Sequence, residues 1–103
     1  MNEIYSCDRS QFSSYLAAPL TRYVEYRVNV HGCAPGSFIC PLRLFDAYCC
    51  GHPESHLSIK PDLVLGYMDS LNVKHNTLRG YISNIRMFCE YLVLVEKVDP
   101  AEI

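Results

Sequence analysis

No run of about 18 apolar residues occurs in this chain, so it offers no segment of the length and character of a membrane-spanning helix. The opening MNEIYSCDRS lacks the basic start and apolar centre of a secretory signal, and the chain is expected to stay in the cytosol. Internal repeats and low-complexity tracts are missing. No segment alternates apolar and polar residues in the manner of a half-buried strand. Positive charge is short as well. With 9 Lys and Arg against 11 Asp and Glu, the net charge is −2, and the whole-chain balance carries no nucleic-acid signature. One local absence points the other way. Ser70 to Cys89 contains no acid at all, yet it holds Lys74, His75, Arg79 and Arg86.

What is present describes a folded domain. A chain of 103 residues fits one domain and should bury roughly two-thirds of the surface its unfolded form exposes. Half of the residues are apolar, which argues against disorder. Six cysteines (Cys7, Cys33, Cys40, Cys49, Cys50, Cys89) raise the idea of a disulfide scaffold. They read better as reduced thiols, because cytosolic thiols stay reduced and several fall at helix-core spacing, where cysteine acts as a small hydrophobe.

Punctuation divides the chain into four helical segments. The first ten or so residues read as a loose arm, and residues 1–18 together as a partly ordered one. A first helix starts near Pro19, since proline suits a first turn. It runs through LTRYVEYRVNV and can stop at Gly32. The preceding QFSSYLAA can add a turn, with a bend at the proline. GCAPGS is turn chemistry, with Ser37 placed to cap a second helix over about 38–50. Its apolar stripe is Phe38, Leu42, Phe45, Tyr48 and Cys49, and Gly51 stops it. After the polar loop GHPESHLSI, Pro61 opens a third helix over about 61–71, with Asp62 in its first turn and Val64, Tyr67, Met68 and Leu71 inward.

The fourth helix is the strongest signal. Over 75–100, Leu78, Tyr81, Ile82, Ile85, Phe88, Cys89, Leu92 and Val95 recur by threes and fours, the period of one buried stripe. Asn76 or Thr77 is placed to start this helix, and Val98-Asp99-Pro100 to end it. Arg79, Ser83 and Arg86 fall on one line of the other face. An all-α four-helix domain is the consistent reading.

Thr77 to Leu92, TLRGYISNIRMFCEYL, resembles the last helix of the SAM-like core-binding domain of tyrosine recombinases, the phage-type integrases. That pattern, T-x-x-x-Y-x-S-x-[LI]-R-x-F-x-x-[YF]-L, is matched by Thr77, Tyr81, Ser83, Ile85, Arg86, Phe88, Tyr91 and Leu92. Leu20, Tyr23, Val24 and Arg27, followed by Gly32, are similar to the family's opening helix. Leu42 with Phe45-Asp46 is similar to its second, and Leu63, Val64 and Tyr67 fit the third. Asp99-Pro100 is similar to the linker that leads to the family's catalytic domain. The resemblance covers about 19–103. The chain departs from the pattern at Lys74, where the family often has a small cap. It also has no His-x-x-Arg pair: three positions after His75 stands Leu78.

The resemblance implies a core-binding domain at 19–98 and the start of a linker at 99–103. It also implies a longer parent recombinase whose catalytic domain is missing here, so that this chain has no catalysis of its own. The implied task is to grip duplex DNA beside the strand-exchange site, in the cytoplasm of a prokaryote, within a tetramer of the full-length protein, with no cofactor or metal. Lys74, His75, Asn76, Thr77, Arg79, Ser83 and Arg86 form the main expected DNA-facing set. Arg43, Arg22 and Arg27 are secondary, and Asn84 is weaker, near the edge of the apolar stripe. Asn76 and Thr77 suit capping better than base reading.

Other readings stay open. Arg79 and Arg86 can be ordinary solvated helix residues. Net charge −2 with Asp62, Asp69, Glu90 and Glu96 suits a small helical protein-interaction module with no nucleic-acid role. Whether the bases cluster with Arg43 or are surrounded by acids separates the two. Cys49, Cys50, His52 and His56 make a tempting metal pattern. However, adjacent cysteines on a helix point about 100° apart, and zinc sites space their cysteine pairs. Tyr81, Phe88 and Tyr91 read as core, with no base or arginine cluster to activate a nucleophile.

Overall fold

The apolar stripes close on one another through aromatic rings. The computed structural model describes residues 4–103. It contains four helices: α1 (Ala17–Asn29), α2 (Ile39–Cys50), α3 (Pro61–Ser70) and α4 (His75–Leu94). Short 3-10 turns lie at Arg9–Gln11, Pro35–Ser37 and Pro100–Glu102, and no strand occurs among the described residues. Tyr23 of α1 meets Phe88 and Tyr91 of α4 at centroid distances of 5.3 and 5.2 Å. Phe45 of α2 meets Tyr67 of α3 edge-on at 5.2 Å. Tilted and edge-on pairs of this kind add to the burial of apolar area. Leu16, Leu20, Val24, Leu42, Cys49 and Leu92 fill the space between with no exposed surface.

Local chemistry sets the helix ends, not always where the sequence suggests. α1 begins at Ala17, two residues before Pro19, because Ser14 turns the chain: its Oγ accepts from the Leu16 N–H at 3.1 Å and its carbonyl from the Ala17 N–H at 3.0 Å. α1 ends in a left-handed cap, Gly32 at φ 69° donating to the Val28 carbonyl at 3.1 Å. Ser37 does not cap α2. Its hydroxyl donates back to the Ala34 carbonyl at 2.7 Å and completes the Pro35–Ser37 turn. α3 opens at Pro61 and ends at Ser70, close to the expected bounds.

α4 departs at both ends. Lys74 stands at the N-cap, so Asn76 and Thr77 lie inside the first turn and neither provides a side-chain cap. The helix stops at Leu94 rather than near Val98. Lys97 takes a left-handed φ of 61°, and the Val98 N–H turns back to the Leu92 carbonyl at 2.9 Å. Val95 therefore leaves the buried stripe and is exposed. Gly80, on the exposed side of α4, has nothing within 4 Å of where a Cβ would sit. Gly80→Ala is expected to raise stability by about 1 kcal/mol, read from urea unfolding. No gain would mean that this part of α4 is not helical in solution.

The expected loose arm is the largest difference. Residues 1–3 of it lie outside the described residues. The rest packs on the helices: Cys7, Phe12 and Leu16 are buried. Three side chains fasten it. The Asn29 amide accepts from the Tyr5 N–H at 2.8 Å and donates to the Tyr5 carbonyl at 3.0 Å. Glu25 accepts from the Cys7 N–H at 3.0 Å. Asp46, buried in α2, accepts from the Ser13 and Ser14 N–H groups at 2.9 and 3.0 Å.

At the other end, Pro100–Glu102 turns back onto the loop before α3. The Ile59 N–H donates to the Glu102 carbonyl at 2.8 Å, and the Glu102 carboxylate meets His56 at 2.9 Å and Lys60 at 3.5 Å.

A second ionic fastening joins α1 to the end of α4. Glu96 takes two bonds from Arg22, at 2.8 and 2.7 Å, and one from the Tyr91 hydroxyl at 2.6 Å. The Arg22 guanidinium holds the Glu96 carboxyl below its ordinary range, with the Tyr91 hydroxyl acting in the same sense. A group depressed in the folded state stabilises above its unfolded pKa and loses that contribution as pH falls through its folded one. The stability advantage of the protein over Glu96→Gln is therefore expected at neutral pH and should shrink below about pH 4. Thermal melts of both proteins across pH check this. A constant difference would show that the carboxylate is not engaged.

Candidate nucleic-acid interface

The first two turns of α4 extend past the core, and residues 74–77, Arg79 and Gly80 are all exposed. Helical spacing places His75, Arg79, Ser83 and Arg86 on one line. In the structure these four line a single open groove, floored by Leu78 and Ile82 and bounded by Met68 of α3. Among the described residues, the ion pairs are Arg22–Glu96, His56–Glu102 and Lys60–Glu102. Lys74, Arg79 and Arg86 thus have no carboxylate within 4.0 Å there, and their charge is open to solvent. The first turn of α4 also lacks a side-chain cap, so its free N–H groups and the positive end of the helix dipole lie beside Lys74. Glu90, one turn beyond Arg86, is where the basic line ends.

The remaining candidates are not brought to this groove. Arg43 is exposed on α2 but lines a separate hollow with Cys40, Ala47 and Cys50. Arg22 is committed to Glu96. Arg27 is half-buried, its guanidinium 4.8 Å from the Phe38 ring centroid and donating to the Tyr23 hydroxyl at 2.7 Å. Asn84 donates to the Gly80 carbonyl at 2.9 Å, a bond along its own helix. Lys74, Asn76 and Thr77 are exposed at the tip of α4 without lining the groove.

Among the thiols, Cys49 and Cys89 are pushed up by burial to about 12 and about 11, so neither is a ready thiolate. Cys50, His52 and His56 are exposed, His52 stacks on Tyr48 at 4.3 Å, and His56 meets Glu102. No three His, Cys, Asp or Glu side chains converge to hold a metal among the described residues.

Sequence reasoning missed Asp46 as a working residue, although a signal was there. Leu42, Phe45, Asp46 and Cys49 share one spacing, and a carboxylate inside a buried stripe must have donors waiting for it. It also counted Glu96 among the acids that suit an interaction module, without the pairing to Arg22 that the structure shows.

Comparison with protein-family models, curated proteins and solved structures finds no match. The class the structure defines is an all-α domain of four helices. None of the helices among the described residues is long and apolar enough to cross a membrane.

Proposed function

We propose that this chain is a SAM-like core-binding domain of a tyrosine recombinase, and that it grips duplex DNA through the exposed line of α4. One observation carries the reading. His75, Arg79, Ser83 and Arg86 line one groove, within the acid-free stretch from Ser70 to Cys89 of an acidic chain, and neither arginine is neutralised by a described carboxylate. The resemblance of Thr77–Leu92 to the family's last helix supports the same face.

Lysine and arginine neutralise phosphates and release counterions. Contacts of that type set register on the duplex and carry little sequence information. Arg79 or Arg86 is also long enough to read guanine O6 and N7 from the major groove. Strand cutting and rejoining would belong to the catalytic domain of the parent protein, where a tyrosine forms the covalent link. This chain supplies grip and placement. Arg43 lies on a different hollow, so α4 carries the contact and α2 at most flanks it.

The test is an NMR titration with a short duplex at low and at moderate salt. Salt-sensitive shifts concentrated on residues 74–87 are expected. Absence of shifts at low salt, or shifts spread thinly over the surface, would favour the protein-interaction reading.

A further inference from the structure

The cleft between α1 and the C-terminal half of α4 shares no residue with the basic groove. Its floor is aromatic. Tyr91 packs against Tyr23 and Tyr26 with centroids 5.2 Å apart in both pairs, and His31 meets Tyr26 edge-on at 4.9 Å. Its walls are apolar side chains turned to solvent: Met87, Leu94 and Val95 are 39, 69 and 44% exposed. Aromatic rings, methionine and arginine are the groups enriched where proteins meet.

Arg27 lines this cleft and is short of acceptors. Nη1 donates to the Tyr23 hydroxyl at 2.7 Å and faces the Met87 sulfur at 3.7 Å; Nη2 faces the Cys33 sulfur at 3.4 Å. Nε is buried with no partner. Sulfur is a weak acceptor, and no described carboxylate lies within 4.0 Å of the guanidinium. Glu90 lines the same cleft without pairing with Arg27. A half-desolvated cation held by one phenol, two sulfurs and the face of Phe38 at 4.8 Å has no described carboxylate, the acceptor its fork is shaped to take.

We infer that this cleft docks an acidic amphipathic segment of a partner protein. A leucine-type side chain sits among Met87, Leu94 and Val95, and a glutamate or aspartate reaches Arg27. The apolar walls favour this occupant over a nucleic acid, because a phosphate backbone could pair with Arg27 but brings nothing to cover Met87, Leu94 and Val95. The inference stands apart from the DNA reading, since the two surfaces do not overlap.

The test uses the full 103-residue chain and a labelled helical peptide with two leucines one turn apart, flanked by glutamates. Saturable binding is expected, with methyl shifts centred on Met87, Leu94 and Val95. The same peptide with glutamine for glutamate should bind about tenfold more weakly. Leu94→Glu, at an exposed position that leaves the fold intact, should abolish binding, and Glu90→Gln should strengthen it. Arg27→Lys, which keeps the charge and loses the fork, should weaken it. Equal binding of the glutamine peptide, or no saturable binding, would overturn the inference. So would concentration-dependent shifts of these methyls without peptide, which would assign the cleft to a second copy, or their response to duplex DNA instead.

Discussion

Asp46→Ala is expected to cost about 2–4 kcal/mol of stability, the largest effect of any single polar substitution in the protein. The carboxylate is buried on α2 and accepts from two consecutive backbone N–H groups, Ser13 and Ser14, just ahead of α1. Alanine leaves those donors short of an acceptor and leaves a gap beside Phe45 and Cys49. Asp46→Asn keeps one oxygen and sets an amide N–H against the other donor, so it should fall between alanine and the native protein. Urea unfolding of the three proteins measures the order. A loss under about 0.5 kcal/mol for alanine would show that the segment before α1 is not held by α2. The loss should also appear as faster amide exchange at Ser13 and Ser14.

The second large effect concerns binding. Replacing both Arg79 and Arg86 with alanine is expected to weaken duplex binding about 10–100-fold at low salt. It should also make the slope of log affinity against log salt shallower by about 1.8, if each arginine neutralises one phosphate. Both side chains are exposed, so stability should change little. The slope discriminates. A uniform loss with the slope unchanged would mean that neither arginine meets a phosphate. Arg22→Ala serves as the contrast, since its guanidinium is tied to Glu96 and should leave the slope alone. Arg43→Ala, on the other hollow, tells whether α2 joins the contact.

The helices were legible in the sequence because apolar period and punctuation are local. Pro61 and Gly32 mark true boundaries, and the line of Arg79, Ser83 and Arg86 follows from 3.6 residues per turn. What was not legible depends on partners far along the chain. Cys7 and Phe12 carry too few apolar neighbours to announce a packed segment, and only the rest of the fold gives them somewhere to go. The same holds for Glu96, whose partner Arg22 is 74 residues away. It also holds for the end of α4, which stops at Leu94 ahead of a left-handed Lys97 instead of at the expected Val98-Asp99-Pro100. The candidate site was readable to the extent that it lies on one helix. Arg22, Arg27 and Arg43 were added by residue type alone, and tertiary contacts gave each of them a different setting.

α1 holds the start of the described chain and the exit from α4, while Pro100–Glu102 is held by the loop before α3. Asn29 and Glu25 grip residues 5–7, and Arg22 grips Glu96 beyond α4. One rod thus serves as the common hasp for the head and for the turn that leaves α4, and neither can come loose without slackening the element that secures the other. Terminal fraying should accordingly have no melting transition of its own. Probes at Tyr5 and at Val98 should lose protection together, at the temperature where α1 itself gives way.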